Sequence, residues 1–190
     1  MNFELEKQIQ DAVVALHKGL LIGYPTEAVY GLGCDPQQPN AIQNLINLKQ
    51  RNPDKGLILI ASKFEQLQPY LADIDETLAI RAKATWPGPV TWVWPIKNNL
   101  RVSPLLTGKF QSIAVRVTNH PIASALCEVF QGAIVSTSAN LEGQIPAKNA
   151  REVTQFFSEP DQITKIIDGA VGDLLQPTPI YDVITHKEIR

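Results

Sequence analysis

Short apolar runs alternate along this chain with stretches of helical period, and each run gives way abruptly to polar residues. Leu20-Leu21-Ile22-Gly23-Tyr24 stops at Pro25-Thr26-Glu27, Leu57-Ile58-Leu59-Ile60 follows a cluster of cations, and Ala133–Ser136 opens into Ser136-Thr137-Ser138-Ala139-Asn140. Runs this short, with turn residues at their ends, read as strands in the middle of a sheet. The stretches between them read as helices. In Glu4–Lys18, Leu5, Ile9, Val13 and Leu16 recur at helical spacing and Gly19 supplies the stop. Pro39–Leu48 turns Ile42, Leu45 and Ile46 to one side, and Pro121 opens a helix running to Phe130.

The same reading predicts helices around Lys63–Leu71, Asp75–Ala84 and Ala150–Phe157. Further strands are expected at Ala28–Gly33, Val90–Trp94, Ile113–Val117, Ile163–Ile167 and Ile180–Ile184. About seven strands with helices between them make a layered α/β domain. The join between Tyr24 and Val29 is too tight for a crossover helix, so the sheet should be mixed. A chain of 190 residues with no repeat or linker fits one domain. Asn98–Lys109, aperiodic and carrying Pro104 and Gly108, reads as a mobile loop over a site.

Composition excludes several classes. No apolar run reaches membrane-spanning length, and Met1-Asn2-Phe3-Glu4-Leu5-Glu6 is too acidic for a secretory signal, so a cytoplasmic protein is expected. Cys34 and Cys127 lie far apart and are expected to be reduced thiols. Two cysteines and three scattered histidines argue against a zinc site built by the protein. Glycine-rich nucleotide loops and the Gly-x-Ser-x-Gly elbow are absent. The net charge of −2 conceals an asymmetry, because ten Lys/Arg against five Asp/Glu lie between Ile46 and His120. That basic middle fits either an anionic ligand held in one place or scattered, solvated lysines.

Four polar segments are placed where chemistry could occur, each with a structural alternative. Thr26 and Glu27 can face a ligand or cap a turn. Lys49, Arg51 and Lys55 can grip phosphate, or Lys49 can complement a helix C-terminus. Lys49 and Arg51 are expected on one side of a polar loop, outside the core. Arg116, inside the apolar Ser112–Val117 run, needs an anion or a salt bridge. Ser136–Asn140 can hold phosphate oxygens or a hydrated metal, or be an ordinary Ser/Thr turn.

Taken together these segments resemble the YrdC family. Pro25-Thr26-Glu27-Ala28-Val29-Tyr30-Gly31-Leu32-Gly33 is similar to its Pro-Thr-Glu-Thr-Val-Tyr-Gly-Leu-Gly block, and Lys49-Gln50-Arg51 to its Lys-x-Arg signature. Trp86-Pro87-Gly88-Pro89-Val90-Thr91, Ala114-Val115-Arg116-Val117 and Ser136–Asn140 resemble three more blocks in family order. The length and Asp54–Ile60 look closest to the family's short bacterial form.

The resemblance implies a single YrdC-like domain over residues 1–190, α/β or α+β by scheme, with a twisted, mixed, open sheet. It implies a threonylcarbamoyl-AMP synthase, a nucleotidyltransferase that condenses L-threonine, bicarbonate and ATP and releases pyrophosphate. Mg²⁺ would arrive with ATP, with no protein side chain assigned to it. Lys49 and Arg51 would be catalytic and bind ATP together with Ser112, Ser138, Asn140 and Arg190. Thr26, Arg116 and Thr178 would hold threonine. The product would serve threonylcarbamoyladenosine modification of tRNA through the partner proteins TsaB, TsaD and TsaE, with RNA on a basic concave surface and no membrane. The chain departs from the family at Ile60, where many members carry histidine, and at Pro177-Thr178-Pro179-Ile180, where Pro-Ser-Thr-Val is common. A non-catalytic RNA-binding or ribosome-maturation factor is the main rival. A sugar-phosphate enzyme of similar fold is the other, but acidic metal ligands are scarce near these motifs.

Overall fold

The computed structural model describes residues 2–98, 102–141, 143–159 and 162–190. Helix α1 (Phe3–His17) starts at Asn2, whose side chain accepts from Leu5 N, carries Glu4 and Glu6 in its first turn, and ends before Gly19 at φ 71°. That placement satisfies an otherwise orphaned N–H and puts carboxylates against the positive end of the helix dipole. The chain then forms β1 (Ile22–Pro25), β2 (Tyr30–Cys34), α2 (Pro39–Lys49) and β3 (Ile58–Ala61). It continues through α3 (Glu76–Lys83), β4 (Thr91–Pro95), α4 (Pro104–Thr107), β5 (Ser112–Val117) and α5 (Pro121–Phe130). Strand β6 (Ile134–Ser138), α6 (Ala150–Phe156), β7 (Lys165–Ile166) and β8 (Ile180–Asp182) complete it.

The strands make one mixed sheet of eight, ordered β7-β1-β2-β6-β3-β5-β4-β8. The short Thr26–Val29 connection makes β1 and β2 antiparallel, as its length requires, while β3 runs parallel to β5. The sheet is open, with β7 and β8 at its edges. Side chains alternate across it. Tyr30, Leu32, Leu59, Val115, Val117, Val135, Trp92 and Trp94 face a core completed by Ala41, Ile42, Leu45 and Ile46 of α2. On the opposite face Ile22, Tyr24, Ile60 and Ile134 pack under α1 and α5. Each fully buried aliphatic side chain contributes about 1.5–3 kcal/mol.

The second face is only partly roofed. Beyond α1 and α5 a row of residues in register, Gly33, Ser136, Ile58, Ala114, Val93 and Asp182, runs across six strands. Most of these are small or polar, and no helix of the described residues covers this stretch with an apolar stripe. A depression over the sheet results.

Two expectations need correction. Lys63–Leu71 is not a helix but a 3-10 turn at Phe64–Gln66 followed by further turns. Pro69 has no N–H to give and would clash with the preceding turn, while Leu67, Tyr70 and Leu71 still turn inward. The polar Ser136-Thr137-Ser138 segment is strand, paired with Gly31–Gly33 on one side and, through Ser136, with Ile58 on the other. The ladder to β2 along the whole segment, joined by β3 at Ser136, overrides its turn propensity. The eight strands of the sheet accord with the expected count of about seven. In the Asn98–Lys109 segment residues 99–101 lie outside the described residues. Within the rest, α4 is docked by a bond from Leu57 N to Leu106 O at 2.9 Å, with Leu106 fully buried.

Glycine is needed where Tyr24 crosses β2. A Cβ on Gly33 would lie 2.6 Å from Val135 O and 2.9 Å from the Tyr24 ring. Gly33→Ala should therefore lower stability by about 1–3 kcal/mol, the usual range for overpacking, read as an earlier urea midpoint with an unchanged slope.

Candidate functional site

The depression is a cavity of about 430 Å³, within the range of small-molecule sites. Its floor is the sheet face bearing Gly31, Ile58, Val93, Ser112, Ala114, Ser136 and Ser138. Thr26, Ala28, Val29 and Tyr30 wall one side, Arg51, Lys55, Leu106 and Phe110 another, and Pro177, Thr178, Ile189 and Arg190 a third. Among the described residues four cations, Arg51, Lys55, Arg116 and Arg190, line it against one carboxylate, Asp182. The lining is basic, as the charge asymmetry of the sequence anticipates.

Arg116 is the centre of the arrangement. It stands on β5 only 5% exposed. Its Nη2 lies 3.1 Å from Glu27 Oε2, and its Nη1 donates to Thr178 Oγ1 at 2.8 Å and to Thr91 Oγ1 at 3.3 Å. Thr118 donates to the other oxygen of Glu27 at 2.6 Å. Glu27 Oε2 and Arg116 Nε are buried without a well-aligned hydrogen bond, so their attraction is mainly that of charge for charge. Arg116 thus has the salt bridge that the sequence offered as one alternative, and it also lines the cavity.

A strap leads from β7 to β8 across this pair. Gly172 N donates to Thr26 O at 2.9 Å and Leu174 N to Glu27 O at 3.2 Å, while the Tyr30 hydroxyl donates to Gly169 O at 2.7 Å. His120 adds an anchor: its Nε2 lies 3.0 Å from Ala170 O and its Nδ1 accepts from Ala123 N at the start of α5. These two roles require the neutral ring with its proton on Nε2. The strap delivers Thr178 to Arg116. Thr26 is buried, donates locally to Val29 O at 2.7 Å, and also lines the cavity.

The cationic segment divides. Arg51 lines the cavity and donates through Nε and Nη2 to Gly56 O. Lys49 is not on a polar loop outside the core. It is the last residue of α2, 3% exposed, and its ammonium donates to Ser138 O, to Asn140 O at 2.6 Å and to Asn140 Oδ1 at 3.3 Å. Gln50 takes the left-handed conformation that ends α2, so Lys49 and Arg51 do not alternate on an extended strand. Lys49 and Asn140 thus stand behind the wall that Ser138 presents, and the Ser138 hydroxyl donates to Asn140 Oδ1 at 2.6 Å.

Ser112, Ser138, Thr178 and Arg190 all line the cavity. Arg190 donates to Thr178 O at 3.4 Å, and partial burial, then the nearby charge of Arg116, draws it down from the usual arginine range. Ile60 is fully buried under α5 and away from the cavity. Sequence reasoning left Thr91, Thr118 and Asp182 unassigned. Thr91 closes the Trp86–Thr91 block, where Trp86 Nε1 donating to Val90 O and Gly88 N donating to Val117 O fix the turn that brings it under Arg116. Among the described residues no three His, Cys, Asp or Glu side chains gather into a metal-binding group, and no helix is long and apolar enough to cross a membrane.

The sequence and the fold are shared with known proteins. The Sua5_yciO_yrdC family model, described as "Telomere recombination", matches residues 14–190. A threonylcarbamoyl-AMP synthase of Photobacterium profundum is 48% identical over 184 residues, covering 96% of this chain and 97% of the relative. One from Serratia proteamaculans is 49% identical over 178 residues, covering 93% and 92%. The crystal structure of P. abyssi Sua5 complexed with L-threonine superposes with a TM-score of 0.83 at 34% identity over 92% of this chain. The chain spans about half the length of that Sua5 protein, 50% of it.

Two predictions follow from the anchors. Lys49→Met, which keeps the stem and removes the ammonium, should lower stability by about 1.5–3 kcal/mol, the cost of losing hydrogen bonds to a charged group, measured by urea unfolding. His120 titrates below its ordinary value because burial disfavours the charged ring, reinforced by Arg116 and opposed by the Ala170 bond and by Glu27. A base depressed in the fold contributes stability that is complete above its unfolded value and is lost as pH falls through the folded one. Thermal melts from pH 7 to 5 should show the wild type losing more stability than His120→Asn, which can still cap α5 but does not titrate.

Proposed function

The chain belongs to the Sua5/YciO/YrdC family, and from that premise we propose that it is a threonylcarbamoyl-AMP synthase. The observation that carries this reading is one basic cavity holding Arg51, Ser112, Ser138, Arg116, Thr178 and Thr26 together. Threonine and bicarbonate give the carbamate with loss of water. A carbamate oxygen attacks the α-phosphorus of ATP and pyrophosphate leaves. The enzyme is in that sense a nucleotidyltransferase, and no side chain need act as a covalent nucleophile.

Residue roles follow from position and charge. Arg51, with Arg190 and the hydroxyls of Ser112 and Ser138, faces the triphosphate, where a planar guanidinium can take two phosphate oxygens at once. Arg116 takes the carboxylate of threonine, flanked by Thr178 and Thr26. Lys49 and Asn140 support the Ser138 wall. Catalysis is then positioning and charge stabilisation in a recessed site. Mg²⁺ binds mainly through phosphate and water oxygens, and the cavity fits this mode because it offers isolated oxygen groups at Ser136, Ser138 and Asp182 in place of a cage of carboxylates. When bound, the ion neutralises phosphate charge.

The product is a mixed anhydride prone to hydrolysis, so it must be handed on promptly. We assign the acceptor to an adenosine of tRNA beside the anticodon, reached through TsaB, TsaD and TsaE in the cytoplasm, with the basic rim available to RNA. A purely RNA-binding factor would account for the basic lining but has no need of a buried ion pair beneath a small cavity.

Pyrophosphate release should require both threonine and bicarbonate. Equal release in bicarbonate-depleted buffer would mean ordinary aminoacyl adenylation. Arg51→Ala should slow adenylate formation by about one to two orders of magnitude, the loss expected for a charge-assisted contact of about 1.5–3 kcal/mol. Arg51→Lys should recover only part of it.

A further inference from the structure

Glu27 does not line the cavity, yet it is tied to everything that shapes the cavity's inner end. Its carboxylate sits 3.1 Å from Arg116 Nη2 and accepts from Thr118 at 2.6 Å, with both charged side chains 6% exposed. Its backbone carbonyl accepts from Leu174 of the strap, and a Cβ on Gly172 would lie 2.6 Å from that oxygen. The strap in turn carries Thr178, which accepts from Arg116 at 2.8 Å. The contacts close a ring: Glu27 side chain to Arg116, Arg116 to Thr178, and the strap back to Glu27.

We propose that Glu27 is a positioning residue that acts through Arg116, fixing the guanidinium as the seat of the amino-acid carboxylate; this rests on the function proposed above. A long arginine stem on a strand has several rotamers, and a buried guanidinium goes where its counter-charge is. Glu27 holds one end of the group, while Thr91 and Thr178 hold the other. The partner carboxylate also keeps this end of the cavity close to neutral. A singly charged amino acid is then accepted there, and a triphosphate is not drawn away from the Arg51 side. Removing the charge of Glu27 frees Arg116 to turn toward phosphate and should injure threonine binding selectively.

The test is steady-state adenylate formation by the wild type, Glu27→Gln and Thr118→Val, with threonine and ATP each varied. In Glu27→Gln the KM for threonine should rise about ten- to hundredfold, the range for loss of one charge-assisted contact, with the KM for ATP within about threefold. Thr118→Val, which loosens Glu27 without removing its charge, should raise the threonine KM about threefold or more in the same direction, and it decides the matter if Glu27→Gln does not fold. An unchanged threonine KM in a folded variant overturns the role of Glu27 and leaves the synthase reading intact. Equal rises in both KM values would mark general damage and overturn it as well. A wild type that forms no adenylate would instead overturn the function on which the role depends.

Discussion

A buried ion pair organises this protein. Arg116 sits in the middle of a sheet, at a position where an apolar residue would make a simpler core, and it is tolerable there only because Glu27 and two threonine hydroxyls meet it. Those partners come from three separate stretches of chain: the β1–β2 turn, β4 and the strap before β8. The pair therefore does what a core cluster does elsewhere, drawing distant segments to one point, but it leaves charge and hydroxyls where a core would leave methyl groups. The cavity is a direct result.

The second constraint is the size of the side chains beside it. Gly33, Ser136, Ile58 and Ala114 follow one another across the sheet in register, and of these only Ile58 is a large apolar side chain. On the other face the same strands carry Leu32, Val135, Leu59 and Val115 and are closed by α2. One sheet thus presents a packed side and a hollow side, and the difference is written in alternate residues of each strand. Tyr24, lying over Gly33, marks where the packed part of the second face ends.

Much of this was legible in the sequence, because strand and helix periods are local signals. Apolar runs gave the strands, proline and glycine gave the helix ends, and the recurring polar blocks gave most of the cavity lining. What the sequence concealed were long-range partnerships. Thr118 and Glu27 lie 91 positions apart, and nothing near either names the other. Lys49 read as a loop cation because its true partners, the carbonyls of Ser138 and Asn140, are backbone atoms of a distant strand end. The 63–71 segment misled because its inward residues keep a near-helical spacing although Pro69 forbids the helix. Thr137 and Ser138 read as a turn because the β2 ladder that holds them as strand comes from a distant stretch of chain.

The end of the described chain has a practical consequence. Arg190 is held by backbone bonds with Ile180, and its side chain lies at the cavity rim. A peptide joined at Arg190 would therefore begin beside the cavity. The first helix is different: Phe3 is exposed and its helix packs on α5, on the covered part of the sheet. An affinity handle or a tether to a surface belongs at that amino-terminal end, whose residues do not line the cavity.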